Sequence, residues 1–212
     1  MVDEVGAGVA VVWEDTHPEA VTVGAVLAAV VAADSVAGEP RDDGRCSMKF
    51  KRFVRHIMSG PWTVRRHFSA ADLLEIEAAI KSTESAQGGE IRFCVESDLD
   101  ARDLFAGLSP AERARQVFSQ LGVWDTAQNN GVLLYLLLAD RSFEIVADRA
   151  ISRHVSAADW RAVSEEIERE FQAGRFLSGV KLGIKLIAKH LERHFPAGQL
   201  HCAELPNKPV IL

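Results

Sequence analysis

Apolar and polar positions change period several times along the chain, and each change marks an element. Ser69, followed three residues later by Asp72, predicts a helix cap, after which Leu73, Ile76 and Ile80 repeat on one face until Gly88-Gly89. Ile91, Phe93 and Val95 then alternate with Arg92, Cys94 and Glu96, the period of a strand with one better-buried face that ends near Ser97. Ser109-Pro110-Ala111-Glu112 supplies an N-cap, a proline at the first helical position and an acid at the third, and Ala114, Val117, Phe118 and Leu121 line the inward face of this second helix. Val132 to Leu138 is an unbroken apolar run between Asn130-Gly131 and Asp140-Arg141, which predicts a central strand covered on both sides. Phe143, Ile145 and Ala147 alternate with Glu144, Val146 and Asp148, and the short gap at Asp140-Arg141 permits only an antiparallel hairpin. Ser156-x-x-Asp159 caps a third helix with Trp160, Val163, Ile167 and Phe171 on one face; Gly174 separates it from a fourth with Val180, Ile184, Ile187 and Leu191.

The order of elements predicts an α/β fold whose small mixed sheet joins a right-handed parallel β-α-β crossover to one antiparallel hairpin strand. That topology gathers Glu96, Ser97, Asp98 and Asp140 at the carboxyl ends of the parallel strands. At the opposite edge the loop entering the central strand meets the end of the antiparallel one, bringing together Asp125, Thr126, Asn129, Asn130, Asp148 and Arg149. So many oxygens suit a hard cation. The local alternative is a turn at Asn129-Asn130-Gly131, a cap at Asp125 and an ion pair at Asp148.

Residues 1–47 are rich in Ala, Val and Gly and keep no period, so they read as a disordered or weakly ordered extension. Residues 48–68 form a basic amphipathic segment: Lys49, Lys51, Arg52, Arg55, Arg65 and Arg66 occur without an acid, and Phe50, Phe53, Val54 and Ile57 recur at helical spacing. The segment suits an anionic membrane surface or an acidic protein partner through 49–66; the alternative is an arm whose aromatics pack on the domain. The domain proper then spans 69–196, and the proline-rich residues 197–212 read as a loose tail.

The formal charge of −6 belongs to the extension, where nine acids face two arginines and leave the rest of the chain at +1. Cys46, Cys94 and Cys202 form no CxxC pair, which argues for a reducing cytoplasm. The apolar run Ala20–Ala33 is shorter than the roughly 20 residues of a spanning helix, so no transmembrane span is expected. Walker, GxGxxG, GxSxG and HExxH motifs are absent, and the basic run has no recognition motif for nucleic acid.

The run TAQNNGVLLYLLLADRSFEIVADRAISRHV resembles the core signature of the TPM domain. EFQAGRFLSGVKLGIKLI is similar to that family's F-x-x-G-x-x-x-x-G-x-x-x-G-I segment, through Phe171, Gly174, Gly179, Gly183 and Ile184. The likeness covers about residues 65 to 196, and KFKRFVRH, GEIRFCVE and VWDT resemble a soluble bacterial subgroup without the membrane anchor of many relatives. The resemblance implies a three-layer α/β/α sandwich. It also implies a divalent cation, Ca2+ or Mg2+, as cofactor, and either acid phosphatase activity or a role in assembly and repair of membrane complexes. Carried onto this chain, the site uses Asn129, where many relatives have aspartate, with Asn130, Asp148 and the VWDT residue Asp125. In a phosphomonoesterase the cation would polarise phosphate, Asp125 or Asp148 would activate water, and Arg149 would clamp phosphate oxygens. Asn129 removes a negative charge and Ala150 stands where a loop glycine is common, so the expectation leans to a non-catalytic adaptor peripheral to the membrane. His154 is a further candidate for the site. His190 and His194 read as surface residues, and Trp62, Trp124 and Trp160 as core or rim anchors.

Overall fold

A computed structural model describes residues 9–12, 44–84, 86–196 and 204–212, with side chains from Lys51 onward. The elements are β1 (Val9–Val12), α1 (Gly44–Met58), α2 (Pro61–His67), α3 (Ala70–Thr83), β2 (Glu90–Glu96), α4 (Ala101–Ala106) and α5 (Pro110–Gln120). They continue with β3 (Gly131–Leu137), β4 (Ser142–Ala147), α6 (Arg149–Ser152), α7 (Ala157–Gln172), α8 (Phe176–His194) and β5 (Val210–Ile211). The strands form one mixed sheet in the order β1-β4-β3-β2-β5. β2 and β3 run parallel in the register Ile91 to Val132, and β3 and β4 form the antiparallel hairpin.

Every residue of β2, β3 and β4 is buried, because helices cover both faces of the sheet. Ile91, Phe93 and Val95 share one face with Leu134, Leu136, Phe143 and Ile145, against α3, α7 and α8. Cys94, Leu133, Tyr135, Leu137 and Val146 share the other, against Ala114, Val117 and Phe118 of α5. The fold is therefore the three-layer α/β/α sandwich, with the thicker helical layer on the first face.

Two close approaches explain why glycines stand where they do. A Cβ on Gly131 would meet the Val123 carbonyl oxygen at 2.1 Å, so only glycine lets the loop pass the start of β3. On α8, a Cβ on Gly179 would meet the Phe171 ring at 2.6 Å and one on Gly183 the Ile167 Cδ1 at 2.8 Å, so these positions seat α8 directly on α7. The β3–β4 turn places Arg141 at φ 52°, the left-handed conformation a tight hairpin demands.

Two expectations need correction, and the basic segment gains detail. The described part of 197–212 is not loose: residues 204–212 lie along β2, and β5 pairs with it in parallel. Pro206 and Pro209 donate no backbone N–H, a property that suits an edge strand as well as a loop. The extension 1–47 contributes β1, antiparallel on β4, at the other edge; its remainder up to Asp43, including Ala20–Ala33, lies outside the described residues. The basic segment is two helices, broken at Ser59-Gly60, with Pro61 in the first turn of α2. Among the described residues, no helix is long and apolar enough to cross a membrane.

Candidate functional site

At the amino end of β3, the loop residues meet as the topology requires. Asn130 donates its N–H to Thr126 Oγ1 at 3.1 Å and its amide Nδ2–H to the Gly88 carbonyl. Asn129, at φ 51°, accepts from Ala150 N–H on its carbonyl at 3.2 Å, which ties the loop to α6. Its side-chain Oδ1 accepts from Arg149 Nε and Nη2 at 3.1 and 2.8 Å. Asp148 caps α6 by accepting from Arg149 N–H on Oδ1, and its backbone N–H donates to the Gly131 carbonyl. Asp125 stands apart, exposed on the turn closed by its N–H to the Gly122 carbonyl; it makes no side-chain hydrogen bond to the others among the described residues.

Two oxygens in this cluster are buried without a hydrogen-bond partner among the described residues: Asn130 Oδ1 and Asp148 Oδ2. Burying an unsatisfied acceptor costs about 1–3 kcal/mol, so each is an oxygen that a further donor or a cation would satisfy. Burial also raises the Asp148 carboxyl above its usual range, an effect the Arg149 N–H and guanidinium oppose. Asn130 Oδ1 and Asp148 Oδ2 are both oxygens of the kind a hard divalent ion takes as ligands. Among the described residues no group of three or more His, Cys, Asp and Glu converges, so most ligands would be amide, backbone and water oxygens. Arg149, bound to Asn129, takes part of that position already.

A residue that the sequence pattern did not bring here is Glu204, whose Oε2 accepts the Ala127 N–H at 3.0 Å. Only the pairing of the tail with β2 carries it to this loop, 77 positions away in sequence. His154 does not join the cluster; its ring stacks on His194 at 5.3 Å. Trp160 is buried in the core, whereas Trp62 and Trp124 are exposed.

The carboxyl ends of β2 and β3 hold a denser ionic network. Asp140 accepts from Arg52 Nε and Nη2 at 2.9 and 2.7 Å, and Arg52 Nη2 also reaches the Leu108 carbonyl. His56 Nδ1 accepts the Leu99 N–H at 2.9 Å, which leaves the proton on Nε2, 3.0 Å from Asp140 Oδ1. Glu96 accepts from Arg113 Nε and Nη2 at 2.9 and 2.7 Å and from the Tyr135 hydroxyl. Burial, then the Glu96 charge, pushes the Tyr135 phenol far above its usual range. These bonds lock α1 and α5 onto the sheet and leave no open carboxylate for chemistry at Glu96 or Asp140.

Taken together, the layered mixed sheet and the oxygen-lined loops at the open end of its central hairpin define a single α/β/α sandwich domain. The TPM domain matches residues 65–190, and the chain belongs to that family. A solved relative is the BA42 protein from the psychrophilic bacterium Bizionia argentinensis, known from an NMR structure. It is 31% identical, with a TM-score of 0.59 over 68% of this chain and 95% of that chain. No curated protein matches the sequence.

Proposed function

We propose that this TPM-domain protein is a non-catalytic adaptor of the cytoplasm that docks peripherally on an anionic membrane surface through α1 and α2. The observation that carries the reading is the surface at the α1–α2 junction. Ile57, Met58 and Trp62 are 62%, 45% and 59% exposed there, beside the exposed basic residues Lys51, Arg55 and Arg65. Apolar side chains flanked by cations are what a surface-bound segment needs, since the former enter the acyl boundary while the latter meet the headgroups. Phe53 contributes elsewhere, packing on Phe105 at 5.2 Å, so the helix is fixed to the domain on one side and bare on the other. Flotation of the full chain with vesicles containing phosphatidylserine should carry protein at low salt and release it at high salt. Trp62→Ser should weaken partition by about tenfold, the effect of losing one buried aromatic. Equal partition of wild type and variant, or no flotation at all, would discard the reading.

The orphaned oxygens of Asn130 and Asp148 favour a divalent cation as a second property of the same protein. At a hundredfold excess over Kd, Ca2+ or Mg2+ should add about 2.7 kcal/mol of stability. Asp148→Asn keeps the α6 cap and should abolish that gain. The ion selects the charged carboxylate, so binding weakens as pH falls, and more so because burial already favours the proton on Asp148. Identical calcium responses in both proteins, followed by thermal melts, would exclude Asp148 as a ligand. Phosphomonoester hydrolysis has less support, because Arg149 is engaged by Asn129 and Asp125 lies apart from Asp148 in hydrogen bonding. Turnover of a generic phosphate ester that appears on Asn129→Asp would reverse that preference.

A further inference from the structure

Residues 204–212 cover the edge of β2 away from β3, and two buried charges of that strand turn toward their backbone. Glu90 is 2% exposed, and its carboxylate accepts the N–H groups of Glu204 at 3.0 Å and Leu205 at 3.3 Å. Two residues on, Arg92 is 8% exposed, and its Nη1 donates to the carbonyls of Pro206 and Lys208. The ladder follows, with Leu212 N–H on the Val95 carbonyl at 3.0 Å and Ser97 N–H on the Leu212 carbonyl at 3.4 Å. Leu205 and Val210 pack, partly buried, on the sheet face formed by Cys94 and Leu133.

Burying an anion and a cation is costly unless both are well satisfied. Here an acceptor meets backbone donors and a donor meets backbone acceptors, in the order that an extended chain presents them. Such contacts read main chain rather than side chains, which is the mode of peptide recognition by strand addition at a sheet edge. Glu90 and Arg92 lie within the family domain, whereas the segment that they bind lies beyond its matched end at residue 190. β5 itself is only two residues long, so few ladder bonds hold the segment down.

We propose that the β2 edge is a peptide-docking groove, and that residues 204–212 fill it in cis as a displaceable stand-in for an extended segment of a partner protein. The partner segment carries proline and presents apolar side chains at the places of Leu205 and Val210. Glu90 and Arg92 anchor its backbone, and those two apolar positions select it. The groove is built on β2 and not on α1 or α2, so the adaptor has one contact for lipid and one for protein.

The test uses the full chain and a fluorescein-labelled peptide with the sequence of residues 204–212, followed by anisotropy. Wild type should bind weakly, because its own segment competes. Val210→Asp should loosen that segment, seen as lost hydrogen-exchange protection at Leu212 with the β2–β3 ladder intact, and should bind the peptide at least about tenfold more tightly. Adding Glu90→Gln and Arg92→Gln to that variant should remove about tenfold of the gain. A Val210→Asp chain whose segment is loosened and whose sheet is intact, yet which fails to bind peptide, overturns the proposal. So does a wild-type dimer with exchanged tails on size exclusion, which would make the occupant a second copy of the chain. Persisting protection at Leu212 in a Leu205→Asp, Val210→Asp double variant would overturn displaceability itself.

Discussion

Asp140→Ala is expected to lower stability by about 3–5 kcal/mol and to detach α1 from the sheet. The carboxylate is nearly buried and receives both Arg52 nitrogens and the His56 ring, so its removal strands a guanidinium and a buried imidazole N–H together. Arg52 keeps some solvent access, which places the expected loss toward the lower end of that range. Burial alone would raise the Asp140 carboxyl; the hydrogen bonds from His56 and Arg52 and the Arg52 charge outweigh it and hold the group at about 2. A native value below the ordinary 3.8 means that the stabilisation is complete above pH 3.8 and is lost as pH falls through 2. The gap between wild type and variant should therefore be constant near neutrality and close in strong acid. Denaturant unfolding at several pH values measures the gap, and hydrogen exchange at Arg55 to Met58 reports the release of α1. Unchanged midpoints with α1 amides still protected would show that apolar packing, not Asp140, holds the helix. Because α1 carries Ile57 and Met58, the same variant should also displace the exposed apolar surface through which membrane docking is proposed.

The opposite sign is expected at Glu144, in the middle of β4. Its carboxyl is 1% exposed; Oε1 accepts from the Ser142 hydroxyl, while Oε2 has no partner among the described residues. Burial raises it to about 7, against smaller opposing effects of Ser142 and the Arg115 charge. A folded value above the ordinary 4.5 makes the native state hold the proton longer than the unfolded chain does. Stability is then undiminished below pH 4.5, falls as pH rises to 7, and carries the full penalty above it, on the order of 3 kcal/mol. Glu144→Gln keeps the Ser142 bond and removes the charge, so at pH 8 it should be more stable by about that amount, and near pH 4.5 indistinguishable. A variant that gains nothing between pH 5 and 8 would show that Glu144 is solvated in the native protein.

The core of this fold is legible in the chain because its signals are local. Capping boxes at Ser69, Ser109 and Ser156 form as their spacing predicts, with each serine accepting the N–H of the residue three places on. The apolar run 132–138 gives a strand buried on both faces, and the gap at Asp140-Arg141 gives the hairpin. β2 was only half legible: Arg92 and Glu96 mark what reads as its wetter face, yet both are buried, because Arg113 of α5 pairs with Glu96 and backbone carbonyls of the tail accept from Arg92. β1 and β5 carry no such local signal. Four and two residues long, they are strands only because a sheet edge waits for them, and that edge is assembled from residues far away in sequence. The same reason hid Glu204 and the Arg52–Asp140 pair, separated by 88 positions. The loop cluster, by contrast, followed from strand directions alone, except that Asp125 stays outside its hydrogen bonds.

Both outer strands come from beyond the stretch 65–190 that defines the family. A chain trimmed to that stretch would bare β4 on one side and β2 on the other, each a row of unsatisfied N–H and C=O groups beside buried apolar side chains. Bare edges of this kind template further copies into growing fibrils or amorphous precipitate. The least conspicuous residues of the sequence, Val9–Val12 and Val210–Ile211, thus act as end-stops that keep a sticky sheet from polymerising.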